Sequence, residues 1–194
     1  MGEIRLLGIV GSQRRESSNR LALLAVQELL PAGVDMELLD LHGIPYFEPR
    51  REGLPPAAVI AFRRRVEVAD AILFATPECN HAVPGGLHSA ITWVARTPGE
   101  SAWRGKPVAV ISAVAGNLVH SRAQARLQLL LGELKMHTVD HPAGVLGDGE
   151  RPFTGTGQLA HGPTRQFLRE LVAALVGQVR SNWAARGFTL KERA

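Results

Sequence analysis

Short apolar runs alternate with stretches of helical spacing along the chain, and this alternation restricts its fold more than any other feature. Ile4–Val10, Val34–Leu41, Ala71–Ala75 and Val108–Ile111 read as strands, and His137–Asp140 as the start of a shorter fifth. Between and after them, Ser18–Leu30, Ala57–Val68, Gly86–Ala95, Arg122–Leu134 and Thr164–Arg186 read as helices. Leu21, Leu24, Ala25 and Leu29 set the spacing of the first helix, and Pro31 with Gly33 stops it. The glycine-rich stretch Gly144–Gly162 is expected to be irregular. Strands joined through helices lie parallel, in a sheet covered on both faces.

Composition narrows the class. The 194 residues are expected to form one domain, 1–194, and 45% apolar against 21% charged residues describes a globule with a substantial core. No apolar run is long enough to span a membrane, and no signal peptide is visible at the N-terminus. One cysteine cannot form an internal disulfide, which points to a reducing cytoplasm. The net charge of +4 is spread along the chain, with no zinc-finger or aromatic RNA-binding motif, so nucleic acid is not the expected partner. A mild positive field suits a small anionic ligand. His137 and His141 lack the further ligands that a metal site needs, and none is expected.

Two loops carry the chemistry. Strand 1 is followed by Gly11–Asn19 (GSQRRESSN), where Gly11 permits a tight turn. Ser12, Arg14, Ser17, Ser18 and Asn19 supply donors at the start of a helix, whose free N–H groups and dipole favour a phosphate. The second glycine and lysine of a nucleoside-triphosphate loop are missing. A purely structural alternative is that Ser17 or Ser18 caps the helix. Strand 3 is followed by Thr76–Gly86 (TPECNHAVPGG), stiffened by prolines and opened by glycines, so that its backbone can approach a flat ring. A phosphate loop and a ring loop together suggest a flavin. In an open parallel sheet, ligands bind at carboxyl ends beside a switch point; in the order 2-1-3-4-5 that point lies between strands 1 and 3. The expected fold is therefore an α/β flavodoxin-like three-layer sandwich.

The two motifs resemble the NADPH-dependent FMN reductase family, which includes flavin, quinone, chromate and azo reductases. Gly11, Ser12, Arg14, Ser17 and Asn19 match its first loop. Its second motif is matched by Pro77, Glu78, Asn80, Pro84, Gly85, Leu87, Ala90, Ile91 and Trp93. Gly105–Val108 and Arg122–Gln124 extend the resemblance, which runs from about residue 4 to 135. It implies FMN, with the phosphate in the first loop and the ring against Pro77, Glu78, Cys79 and Asn80 and the segment from Ser112 to Gly116. It further implies NADPH or NADH as electron donor, a small-molecule acceptor, and a homodimer or homotetramer. The flavin carries the chemistry in such a site, so no catalytic side chain is expected. The chain departs from the family at Cys79 (a tyrosine in relatives), His88 (a lysine), Thr92 (an acid) and His120-Ser121. The alternatives are a non-catalytic flavodoxin-like electron carrier or redox sensor, and a binder of sugar or nucleotide phosphates.

Overall fold

The computed structural model describes residues 4–12, 14, 17–78, 81–113, 122–139, 144–146, 153–154, 159 and 162–187. Its elements are β1 (Ile4–Val10), α1 (Ser18–Glu28), β2 (Val34–Asp40), α2 (Ala57–Val68), β3 (Ala71–Ala75), α3 (Gly85–Arg96) and β4 (Pro107–Ala113). They are followed by α4 (Arg122–Glu133), β5 (His137–Thr138), β6 (Gly144–Leu146) and α5 (Gly162–Ala185). The sheet runs β2-β1-β3-β4-β5, and its pairings are parallel. This is the expected flavodoxin-like order.

The order follows from which strands can tolerate burial on both faces. Every residue of β3 and β4 is buried, as their unbroken apolar runs require of central strands. In β2, exposed Asp35 and Glu37 alternate with buried Val34 and Met36, the alternation of a strand nearer solvent. Alternate residues of each strand then feed two cores. Ile4, Leu6, Val10, Leu73 and Ile111 pack with Leu23, Val26, Leu168 and Leu175 of α1 and α5. Leu7, Ile9, Ile72, Phe74 and Val110 pack with Phe62, Leu87, Ile91 and Leu127 of α2, α3 and α4. Trp103 is wholly buried in the second core, where its indole N–H donates to the Ile91 carbonyl at 3.1 Å. Trp93 is buried as well; Trp183 is partly buried against the first core.

Two expectations change. The fifth strand position is filled by two short pieces, both paired with β4: Val108 lies opposite Thr138, and Ile111 opposite Gly144. Three steps along β4 therefore match six along its neighbour, so the two pieces do not share one register with β4. Gly144–Leu146, expected to be irregular, is thus a strand, and Gly162 already belongs to α5. The loop 42–56, between β2 and α2, is tied down at Pro45 and Phe47. It contains a 3-10 turn at Pro49–Arg51 and is pinned to α3. The Trp93 indole donates to the Pro45 carbonyl at 2.8 Å, and Phe47 N–H donates to Ser89 Oγ at 2.5 Å. The Phe47 and Trp93 rings meet edge to face, with centroids 4.9 Å apart.

Candidate flavin site

Because β1, β3 and β4 are neighbours in the sheet, the loops leaving their carboxyl ends start side by side. The sheet hydrogen bonding continues past the strands: Gly11 N–H donates to Ala75 O at 2.8 Å, and Thr76 N–H to Ile111 O at 3.0 Å. Gly11 is required by this closeness. A Cβ there would lie 2.8 Å from Thr76 Oγ1 and 3.0 Å from Leu87 Cδ2, inside van der Waals contact.

The first loop gathers its donors at the start of α1. Ser12 is buried; its Oγ accepts from Arg14 N–H at 3.2 Å, which leaves the hydroxyl hydrogen to donate. Arg14 is exposed and has no ion-pair partner among the described residues. Ser17 occupies the N-cap position of α1 with extended backbone, yet its hydroxyl makes no capping hydrogen bond. The structural alternative for Ser17 is therefore absent. Ser18, exposed, opens the helix, and the first intrahelical bond runs from Leu21 N–H to Ser17 O. The N–H groups of Ser18, Asn19 and Arg20 are the unpaired donors of a helix start.

Asn19 sits among them but faces the sheet. Its amide Nδ2 donates to Ala113 O at 3.3 Å, and its Oδ1 accepts from Ala113 N–H at 2.9 Å. This two-point clasp holds the start of α1 against the end of β4, so Asn19 serves the first loop chiefly by positioning it.

At the end of β4, Ser112 is fully buried, and its hydroxyl oxygen has no hydrogen-bond partner. An unsatisfied buried hydroxyl is costly unless a ligand completes it. In the second loop, Pro77 and Glu78 are half-buried. The Glu78 side chain is only 12% exposed, and its two oxygens tie the loop together. Oε1 lies 2.7 Å from His81 Nδ1, and Oε2 accepts from Ala123 N–H at 3.4 Å, at the start of α4. Next in sequence, Gln124 is buried and donates to Val110 O at 2.7 Å. The Arg122-Ala123-Gln124 tract thus anchors α4 to β3's loop and to β4. His88 is exposed on α3, and the Thr92 hydroxyl donates back to its carbonyl at 2.8 Å. Cys79, Asn80, Gly116, His120 and His141 lie outside the described residues.

Uncapped Ser17 and an Arg14 with no ion-pair partner among the described residues suit a phosphate; the orphan hydroxyl of Ser112 suits a polar ring edge. The residues fit FMN. Comparison with known proteins agrees: the family model for NADPH-dependent FMN reductase matches residues 4–150. The chain belongs to this family. It is an α/β oxidoreductase and flavoprotein that uses FMN and takes electrons from NAD(P)H. It is 38% identical over 175 residues to an NAD(P)H-dependent FMN reductase of Pseudomonas aeruginosa, covering 89% of this chain and 94% of that one. A quinone reductase of Pseudomonas putida is 36% identical over 177 residues, covering 91% and 95%. Among solved structures, FerB, an NAD(P)H:(acceptor) oxidoreductase from Paracoccus denitrificans, superposes with a TM-score of 0.83 at 29% identity, covering 92% and 98%. No helix among the described residues is long and apolar enough to cross a membrane.

Two features of the site escaped the sequence reading. The Asn19 clasp joins residues 94 positions apart, which no local spacing reveals. The Glu78–His81 pair depends on His81 adopting a left-handed backbone, φ 59°, rare for a residue other than glycine.

Proposed function

We propose that the protein, as one domain of 194 residues, passes electrons from NADPH or NADH through FMN to a quinone, a free flavin or a similar small acceptor. The observation that supports the placement is the first loop at the start of α1: among the described residues Arg14 has no ion-pair partner, Ser17 makes no capping hydrogen bond, and Ser12 Oγ accepts a bond that leaves its hydrogen to donate. Those three, with the Ser18 and Asn19 amides, would hold the phosphate. Pro77, Glu78, Cys79 and Asn80 would flank the ring, and Ser112 and Gly116 would meet its polar edge. When bound, FMN supplies a ring that accepts hydride from NAD(P)H and returns it to the acceptor.

The chain's own task is then to bind and orient. The helix dipole of α1 and the Arg14 guanidinium offset the phosphate charge. Ser112 would complete its hydrogen bonding on the ring, replacing an unsatisfied hydroxyl with a preorganised dipole. The Asn19 clasp keeps phosphate loop and β4 at fixed separation. The quinone-reductase relative favours quinones among the acceptors. The cytoplasm and a homodimer or homotetramer complete the proposal.

The test is the visible spectrum of purified protein titrated with FMN, then with NADPH under anaerobic conditions. The flavin should bind and bleach rapidly. Ser12→Ala and Arg14→Ala together should weaken FMN binding about tenfold or more, from the loss of charge-assisted hydrogen bonds. The unfolding midpoint without flavin should stay put. Unchanged FMN affinity would place the phosphate elsewhere.

A further inference from the structure

We propose that His81 donates the proton to the acceptor as it is reduced, and that Glu78 is the positioning residue that aims it; this rests on the FMN-reductase function proposed above. His81 lies in the ring loop, three residues past Glu78. Its φ of 59° is a conformation that most side chains avoid, and Nδ1 lies 2.7 Å from Glu78 Oε1. The Glu78 carboxylate is itself fixed, being 12% exposed with its other oxygen on Ala123 N–H. An ionised carboxylate only accepts hydrogen bonds, so Nδ1 must carry a hydrogen. Nε2 is then the other nitrogen of an imidazole that is 66% exposed in the loop leaving β3. A largely exposed histidine with one nitrogen held by a carboxylate is an oriented acid–base group.

The reaction has a use for one. Converting a quinone to a hydroquinone takes a hydride and a proton. Hydride from the reduced cofactor leaves negative charge on a quinone oxygen. The protonated imidazole transfers its Nε2 proton to that oxygen, forming an O–H bond and breaking an N–H bond. Neutral His81 then recovers a proton from water. An acceptor that takes single electrons and no proton, such as ferricyanide, has no need of this step.

The variant of choice is His81→Asn, because asparagine tolerates the left-handed backbone and leaves the loop in place. Protein loaded with FMN and reduced by NADPH would be mixed anaerobically with benzoquinone or with ferricyanide. The ratio of the two rates should fall at least about tenfold, since water replaces part of the roughly 100-fold a general acid supplies. A readout without turnover comes from nitrogen-15 NMR of the FMN-free protein near neutral pH. Neutral His81 should be the Nδ1–H tautomer, and Glu78→Met should release it to the commoner Nε2–H form. An unchanged rate ratio in His81→Asn, or an Nε2–H tautomer in the unmutated protein, overturns the proposal. Failure of the unmutated, FMN-loaded protein to reduce either acceptor would instead defeat the reductase function on which it rests.

Discussion

Single atoms decide whether the first loop can close. At Gly11 the missing Cβ leaves room for Thr76 Oγ1, so Gly11→Ala forces strand or side chain to shift. Unfolding in urea should show a loss of about 1–3 kcal/mol, the usual cost of overpacking. Ser112→Ala should behave in the opposite sense. It removes a buried hydroxyl that has no partner, so the FMN-free protein should gain about 1 kcal/mol while FMN affinity falls. Calorimetry with a flavin titration separates the two effects, and a loss of stability without flavin would mean that Ser112 is satisfied. Asn19→Ala would strip both partners from the buried Ala113 peptide and cost about 1–3 kcal/mol, measured again in urea. Of these residues, Gly11 was legible in sequence as a position that needs a glycine, while Ser112 came only with the family resemblance. Asn19 was legible as a polar residue in the right place, but its clasp was not, since its partner comes from a strand that only the fold brings near.

Elements were legible in proportion to their length and to the regularity of their burial. The four long strands and five helices follow from period and punctuation, and their observed ends fall within a few residues of those read from sequence. The fifth strand position was half legible. Two pieces of two and three residues carry too little pattern to stand out, and Gly144–Leu146 owes its conformation to β4 beside it. The loop 42–56 conceals its anchorage for a related reason. Its polar, proline-rich sequence gives no hint that Trp93 and Ser89, more than 40 positions away, fasten it to α3. Trp93→Phe keeps most of the ring but leaves the Pro45 carbonyl without its donor, so this loop should loosen. Hydrogen exchange of Phe47 N–H should quicken, and global stability should fall by about 1 kcal/mol. Unaltered exchange would show that Phe47 and Ser89 alone suffice.

For the molecule as a whole, folding and flavin binding draw on the same three strand ends. FMN present at about 100 times its dissociation constant should add about 2.7 kcal/mol to the unfolding free energy, provided the unfolded chain does not bind it. Urea unfolding at several FMN concentrations measures this directly, and a midpoint insensitive to FMN would separate the binding surface from the cooperative core. The interrupted fifth strand has a different consequence, which concerns neighbours rather than ligands. A parallel sheet has two open margins, and unpaired backbone at a margin invites strands from other molecules. Here one margin, β2, alternates in exposed Asp35 and Glu37, while the other offers only two residues before its register with β4 is broken. Among the described residues, neither margin presents a long, flat, apolar template. On the described residues, crowded copies of this chain are therefore poorly equipped to zip edge to edge, because the strand pieces that were hardest to read offer a newcomer no long run to pair with.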